Sequence, residues 1–334
     1  MPLDTQSYFS TKLVDMGKLD SRLAGIWTPE SQLSSVPVGL TEQFTEHAGN
    51  YAAKYCSPVY FRRLIVRALA LGGAQIGRAP RILDIGTGAG DNSVFPCLDL
   101  FENAEIIATD LSPDLLALLR REVDRRCVAE SVSVACADAM LDVFVPESFD
   151  LVTGAAILHH LIDPSRALVA AHRALKPGRF AMFFEPFEFG HSILMLVFER
   201  IMSEASLRAD SLDPSALHFM HLLTEEVRRR LGRDKSSPIF RDIDDKWLFS
   251  ESYFHEAGKA AGFEQVKIES IHDPNNQITS RADALLSLGA NVQLSSLPAW
   301  AQTIVAQADS AFSETRSEMI FEGIVTMRKP CGGG

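Results

Sequence analysis

The sequence predicts an α/β protein with a doubly wound, mostly parallel sheet of seven strands. Short apolar runs alternate with amphipathic runs between residues 81 and 187, and the links between them are short. Such alternation is typical of strand–helix–strand units whose helices cover both faces of a parallel sheet. We expect a helical extension at residues 1–78 and a core domain at 79–330, with helical insertions at 188–249 and 273–316.

Seven apolar segments have the pattern of strands, because each is short and is followed by residues that favour turns or helix starts. They are RILDI (81–85), AEIIATD (104–110), SVSVACAD (131–138), FDLVTGAAI (149–157), RFAMFFEPF (179–187), EQVKIES (264–270) and EMIFEGIVTMRK (318–329). Ser112 and Asp163 are predicted N-caps of the helices after the second and fourth strands. Residues 41–71 have a helical pattern that ends at Gly72 and Gly73.

Composition and charge narrow the class of protein. The 334 residues carry a formal net charge of −11, which disfavours nucleic acid as a partner because an acidic surface repels phosphates. The five cysteines show no CxxC spacing, so neither a thiolate zinc site nor a disulfide framework is indicated. The start has no signal-peptide pattern and no run suits a membrane span, so we expect a cytoplasmic protein without a membrane partner.

The loop after the first strand reads DIGTGAG. Ligands of such sheets bind outside the carboxyl ends of the strands, and glycines let the backbone turn tightly beside a ligand. The nicotinamide dinucleotide motif is GxGxxG, whereas Gly86, Gly88 and Gly90 are spaced GxGxG. A carboxylate at Asp84 also suits a cationic ammonium better than a pyrophosphate. A nicotinamide-dependent dehydrogenase therefore stays as the weaker alternative.

Five segments together resemble the class I S-adenosylmethionine (SAM) methyltransferases, especially the small-molecule branch that includes the ubiquinone and menaquinone C-methyltransferases. They are LDIGTGAG (83–90), ATDLS (108–112), CADAM (136–140), FDLVTGAAILHHL (149–161) and LKPGRFAMFFEP (175–186). The resemblance implies a Rossmann-like methyltransferase fold with SAM as cofactor and S-adenosylhomocysteine as product. The extension and both insertions lie outside the resemblance, so we expect the acceptor specificity there.

The resemblance also implies roles for residues at the strand ends. The loop from Gly86 to Gly90 would pass beside the methionyl part of SAM, and Asp84 would balance its ammonium group. Asp110 would accept hydrogen bonds from the ribose hydroxyls, with a turn residue before the helix as the alternative. The adenine would contact four residues: Asp138 at its amino group, the N–H of Ala139 at a ring nitrogen, and Leu111 and Met140 on its faces. For Asp138, an ordinary turn aspartate is the alternative.

The segment AAILHHLIDP ends an apolar run on His159 and His160, which would lie beneath the transferring methyl group. Both histidines are candidate general bases, and so is Glu185 at the end of the fifth strand, because such groups can exchange protons near neutral pH. Packing of the histidines and backbone hydrogen bonding of Glu185 are the alternatives. No metal site is expected, because adjacent side chains usually point apart and no cluster of Cys or His completes a ligand set.

These patterns together predict a SAM-dependent methyltransferase that acts on a hydrophobic small molecule or secondary metabolite. Oxygen is the expected methylation site, and carbon of a quinone-like or polyketide-like acceptor is a close alternative. A SAM-binding relative that transfers no methyl group, pericyclase-like or regulatory, is the third interpretation. Tyr51 and Tyr55 have the i, i+4 spacing of one helix face and would either cover the cofactor or pack. A homodimer through the extra helices is left open.

Overall fold

A computed structural model describes residues 3–33, 40–73, 75–208, 212–272, 275, 277–312, 314 and 319–332. The strands in this part of the chain are β1 (Leu13–Asp15), β2 (Ile26–Pro29), β3 (Arg81–Ile85), β4 (Glu105–Asp110), β5 (Val132–Cys136), β6 (Phe149–Ala155), β7 (Leu175–Pro186), β8 (Gln265–Ser270) and β9 (Glu322–Arg328). They form one sheet in the order β1-β2-β5-β4-β3-β6-β7-β9-β8.

The helices begin largely where the sequence offers caps. They are α1 (Ala48–Tyr55), α2 (Pro58–Gly72), α3 (Val94–Leu100), α4 (Pro113–Arg125), α5 (Pro164–Ala174), α6 (Glu188–Ser206), α7 (Pro214–Arg230), α8 (Glu251–Ala261), α9 (Gln277–Ala290) and α10 (Ala299–Ala311). Ser112 caps α4 by accepting a hydrogen bond from Leu115 N, and Asp163 caps α5 by accepting one from Ser165 N. Gly73 ends α2 with a left-handed φ of 68°, as predicted for a helix stop.

The predicted α/β fold with a mostly parallel sheet is confirmed. Strands β3 to β7 pair in parallel, and β9 pairs antiparallel with both β7 and β8. Helices α2, α3 and α4 cover one face of the sheet, and α5 and α8 cover the other. Within the described residues the sheet has nine strands rather than seven, because β1 and β2 add to the edge at β5.

The two additional strands lie in the extension that the sequence predicted to be helical. They are three and four residues long, too short to show a period-two pattern in the sequence. Their conformation comes from pairing, since β2 lies parallel to β5 and β1 folds back on β2. The helical prediction for the extension therefore holds for α1 and α2 but not for its first part.

The two insertions pack together as one layer at the carboxyl-end edge of the sheet. Helices α6 and α7 of the first insertion share a hydrophobic core with α9 and α10 of the second. Gly289 on α9 lies so close to Phe219 on α7 that a Cβ at Gly289 would come within 1.9 Å of the ring. No helix within the described ranges combines the length and apolar character that crossing a membrane requires.

Candidate active site

The glycine loop after β3 forms one wall of a cavity, here named the loop cavity, at the carboxyl ends of β3, β4 and β6. Gly86 has a φ of +66° and Gly90 a φ of +85°, a region that disfavours residues with a Cβ. A Cβ at Gly86 would come within 2.3 Å of Ile157, and one at Gly90 within 2.5 Å of Leu119. Glycine is therefore required at both positions for the loop to lie this close to its neighbours.

Asp110, at the end of β4, lies on the wall of the loop cavity. Its carboxylate accepts one hydrogen bond from Gly88 N and one from Ser112 N, both at 2.8 Å. These bonds tie the glycine loop to the start of α4. Asp110 therefore does act as a turn residue before the helix, which is the alternative to its ribose role. A carboxylate offers about four lone-pair sites, so acceptor capacity remains for the predicted ribose hydroxyls.

Asp84 lies beneath the loop rather than on the cavity wall. Its side chain is fully buried, and Oδ2 accepts a hydrogen bond of 2.5 Å from Ser93 Oγ. Oδ1 and the neighbouring Thr87 hydroxyl are buried without a hydrogen bond within the described residues. Burial raises the pKa of Asp84 to about 7. A buried acceptor with unused capacity fits a cationic ligand above the loop, because a nearby ammonium would favour the charged carboxylate.

Only one of the four residues predicted to hold adenine lies on the described wall of the loop cavity. Leu111 lines the loop cavity, whereas Asp138, Ala139 and Met140 are not on its described wall. Asp138 instead accepts a hydrogen bond of 2.8 Å from Met140 N, which is the turn role considered as its alternative. The adenine contacts of these three residues therefore stay a prediction.

The extension covers the loop cavity from above. Phe44, Tyr51 and Tyr55 all line the cavity, and the two tyrosine rings lie 4.9 Å apart. Ser112 Oγ donates a hydrogen bond to Phe44 O, which fastens this cover to the N-terminus of α4. The predicted position of Tyr51 and Tyr55 over the cofactor region agrees with this placement.

Glu185 anchors the turn that follows β6. One carboxylate oxygen accepts hydrogen bonds from Ile157 N at 3.0 Å and Leu158 N at 2.7 Å. The other accepts one from His159 N at 3.2 Å. The side chain is 1% exposed, so its remaining acceptor capacity is directed at protein groups rather than water. Glu185 therefore has the contacts of the backbone-bonded alternative, and because it also lies on the wall of a cavity, its role as a base stays a prediction.

His159 lies between two carboxylates. Its Nδ1 is 2.7 Å from Glu185 Oε2, and its Nε2 is 3.4 Å from Asp245 Oδ1. Burial alone would lower the pKa of His159, but the charges of Glu185 and Asp245 outweigh burial and raise it to about 9. Because a carboxylate only accepts, Nδ1–H must donate to Glu185, which leaves Nε2 as the atom that exchanges protons with the cavity.

His160 packs against His159 and has different hydrogen-bond partners. The two imidazole rings are 4.0 Å apart, and His160 Nδ1 lies 3.1 Å from Asp244 O and 3.3 Å from Asp245 Oδ1. Burial, followed by the charge of His159, lowers the pKa of His160 to about 3, so its ring is neutral. His160 lines the loop cavity, whereas His159 does not. A neutral ring there shapes the floor of the cavity and is a weak base.

The side chains of His159, His160 and Asp245 could also surround a metal ion. One ligand atom from each of His159, His160 and Asp245 can be chosen so that all lie within 4.8 Å of one another. The expectation that adjacent histidines point apart fails here, because residues 158–160 form a 3-10 turn in which both rings face Asp245. Arg230 lies 3.3 Å from the second oxygen of Asp245, and this cation opposes another positive charge.

A second cavity of about 590 Å³, here named the helical cavity, lies between the sheet edge and the insertions. It shares Tyr55 and Ala156 with the loop cavity, so the two meet at the end of β6. His159 and Asp245 lie on its wall. Its apolar wall residues include Phe61, Leu64, Phe184, Phe219, Leu223, Val227, Ile271, Leu285 and Leu288. A volume of this size suits a small organic molecule.

Sequence reasoning missed Asp245 and Arg230. Asp245 lies 86 residues after His159, within a stretch that has no motif. The stretch reaches His159 through the backbone, since Lys246 N donates to His159 O at 2.8 Å. The Arg230 guanidinium donates to Trp247 O, which fixes the same stretch from α7. The sequence carries no signal for either contact, because both depend on how the first insertion returns to the sheet.

The fold and the loop cavity together define a class of protein: a Rossmann-like sheet with a glycine loop, an acidic residue after the second core strand, and a covered cavity. These features are those of the class I SAM-dependent methyltransferases. Residues 83–183 match the model of a family described as a methyltransferase domain. Residues 83–183 are therefore a methyltransferase domain with the features of the class I SAM-dependent enzymes, and SAM is the cofactor of that class.

Curated relatives match about half of the chain. A Synechococcus protein called "Uncharacterized protein syc1184_c" is 33% identical over 182 residues, which are 54% of this chain and 43% of that protein. A demethylmenaquinone methyltransferase of Bacteroides fragilis is 26% identical over 157 residues, 46% of this chain and 64% of that enzyme. The chain spans about half the length of the curated relatives it matches.

A solved structure shows the same fold. It is a chain of the complex between the Haloferax volcanii Trm112 methyltransferase activator and a methyltransferase. That chain has a TM-score of 0.51 and 16% identity, with 89% of this chain and 100% of that chain covered. The likeness is one of fold, and it extends beyond the matched domain to most of the chain.

Proposed function

We propose that the protein transfers the methyl group of SAM to a hydrophobic small molecule whose acidic proton is taken by His159. The observation that supports this most is the position of His159 on the wall of the helical cavity, three residues after Ala156, which lines both cavities, with Glu185 bound to its Nδ1. A general base whose tautomer is set by a carboxylate is a recurring arrangement for proton abstraction. The apolar walls of the helical cavity favour a hydrophobic acceptor.

In this proposal SAM supplies a methyl group that its sulfonium charge already activates. The loop cavity orients the cofactor, and the cover formed by Phe44, Tyr51 and Tyr55 excludes water from it. Nε2 of His159 takes the proton of an acceptor in the helical cavity. Glu185 then stabilises the imidazolium through Nδ1–H, while its other contacts hold the 157–159 turn in place. The acceptor displaces Asp245 from Nε2 as it binds.

The methylated atom is proposed to be carbon. Loss of a proton from a phenol, hydroquinone or enol leaves an anion that reacts at either oxygen or carbon. After attack at carbon, the hydrogen on that carbon leaves as a proton and the oxygen regains one, which restores the ring or enol. Both outcomes therefore release one proton in total, and one base serves both. Relatives of this chain include enzymes named demethylmenaquinone methyltransferase and ubiquinone/menaquinone biosynthesis C-methyltransferase. Those names favour carbon, whereas the sequence alone favoured oxygen. Oxygen is the second candidate for the methylated atom. We propose further that the acceptor is a secondary metabolite and that the protein acts in the cytoplasm.

A transfer assay with methyl-labelled SAM and a metabolite extract tests the proposal. We expect label in an organic-soluble product with the native protein, and a loss of at least about a hundredfold with His159→Gln at unchanged SAM affinity. The matched control is His255→Gln, because His255 is exposed on α8. With ¹³C-methyl SAM, the chemical shift of the labelled methyl carbon in the product distinguishes O-methyl from C-methyl groups. SAM binding without label in any fraction would instead favour a protein that binds SAM without transferring methyl.

A further inference from the structure

The helical cavity has a second polar cluster on its wall, separate from His159 and Asp245. It consists of His191 at the start of α6, Arg281 on α9, His272 after β8 and Glu322 at the start of β9. The mechanism proposed above uses none of them. Buried polar atoms are costly unless they gain partners, so an atom of this cluster that the protein leaves unpartnered is a candidate contact for a ligand group.

The protonation of His191 follows from its contacts. The residue is 6% exposed, and its Nδ1 lies 2.9 Å from Phe187 O. A carbonyl only accepts, so Nδ1 carries the hydrogen. Burial, followed by the charge of Arg281, lowers the pKa of His191 to about 4, so the ring is neutral. Its Nε2 is therefore a lone-pair acceptor, and the described residues provide no hydrogen-bond donor for it.

The charges of Arg281 and Glu322 beside His191 offset each other. Arg281 Nη2 donates to one oxygen of Glu322, and His272 Nε2 contacts the other. Arg281 Nε is buried without a hydrogen bond within the described part of the chain. Because Glu322 already neutralises the guanidinium, an added carboxylate or phosphate would meet both the Glu322 charge and the His191 lone pair. The cluster suits a neutral group that donates a hydrogen bond.

We infer that this cluster binds a hydroxyl group of the acceptor, distinct from the position that is methylated, with His191 Nε2 accepting its hydrogen bond. The acceptor is then a neutral, mainly apolar molecule with at least two oxygen functions, such as a polyhydroxylated aromatic. The inference rests on the proposed function, because it takes the helical cavity as the acceptor site. It adds a specificity-determining residue that does not take part in proton transfer.

Calorimetry on the protein loaded with S-adenosylhomocysteine tests this with matched probes. The probes are 1-naphthol, its 1,5-, 1,6- and 1,7-dihydroxy analogues, and 1-naphthol carrying a carboxyl group on the second ring. We expect at least one diol to bind about five- to tenfold tighter than 1-naphthol, the worth of one hydrogen bond between neutral groups. That gain should vanish in His191→Phe, persist in part in His191→Gln, whose amide keeps an acceptor, and leave the affinity for 1-naphthol unchanged.

Several outcomes would overturn the inference: no binding of any probe, no gain for any diol, an equal gain in His191→Phe, or tightest binding of the carboxylated probe. Comparing 1-naphthol across the variants keeps the test valid if His191→Phe loses stability. The proposed function fails separately, if His159→Gln transfers methyl as well as the native protein. The diol gain should survive in His159→Gln, so the two failures are distinguishable.

Discussion

Nδ1 of His159 lies 2.7 Å from Oε2 of Glu185, and the same carboxylate accepts the backbone N–H of His159. The ring and its own backbone are therefore held by one buried group. This orients Nε2 toward the helical cavity and sets which nitrogen carries the hydrogen. In the proposed function Glu185 is therefore a positioning residue, and its own role as a base stays a prediction.

Glu185→Gln should slow transfer by about a hundredfold or more while SAM affinity changes little. The amide oxygen can still accept from Ile157 N and Leu158 N, but the NH2 group cannot accept from His159 and the neutral amide cannot stabilise an imidazolium as a carboxylate does. Single-turnover rates with labelled SAM and calorimetry with S-adenosylhomocysteine measure the two effects. Glu251→Gln is the matched control, since Glu251 is exposed on α8. An unchanged rate would remove Glu185 from the mechanism.

Asp245→Asn should move the pH profile of kcat/KM to lower pH. His159 must be unprotonated to act as base, and its pKa of about 9 means that activity rises with pH up to that value. Asp245 is one of the two charges that raise this pKa, so its removal lowers the pKa and the plateau begins earlier. Profiles between about pH 6 and 10, with exposed Asp242→Asn as control, provide the measurement. A profile that stays in place or moves upward would contradict the assignment.

Chelation should leave transfer unchanged, although His159, His160 and Asp245 could surround a cation. Arg230 already occupies the second oxygen of Asp245, and Glu185 already binds the imidazole. We expect the same rate after dialysis against EDTA and no visible absorption from added Co²⁺. A rate lost on dialysis and restored by Zn²⁺ or Mg²⁺ would make the three residues a metal site instead.

The fold could be predicted from the sequence because its signals are local. Apolar runs, N-caps such as Ser112 and glycines such as Gly86 act on their own neighbours, and all of them lie where the pattern placed them. β1 and β2 were missed because they are short and form by pairing, β1 with β2 and β2 with the distant strand β5. Asp245 was missed for the same reason, since its contact with His159 joins two segments with no shared motif.

Asp110→Ala should weaken SAM binding by about thirtyfold or more, since it removes both the predicted ribose contacts and the acceptor for Gly88 N. Asp138→Ala is the informative comparison, because Asp138 lies off the described wall of the loop cavity. We expect a loss of no more than about threefold for it. Calorimetry with SAM measures both. A comparable loss in Asp138→Ala would restore its predicted contact with adenine.

Asp84→Asn should change how stability depends on pH. An aspartate whose pKa is raised to about 7 in the folded protein holds a proton that the unfolded chain releases above its ordinary pKa of about 4. The native protein therefore loses stability as pH rises through this window, by up to about 4 kcal/mol for three pKa units, and an asparagine removes that loss.

Urea unfolding at about pH 5 and 8 should show that Asp84→Asn becomes more stable relative to the native protein at the higher pH. SAM should bind the variant more weakly, because no carboxylate remains to favour its ammonium group. An equal difference between the two proteins at both pH values would mean that Asp84 is ionised in the folded state throughout.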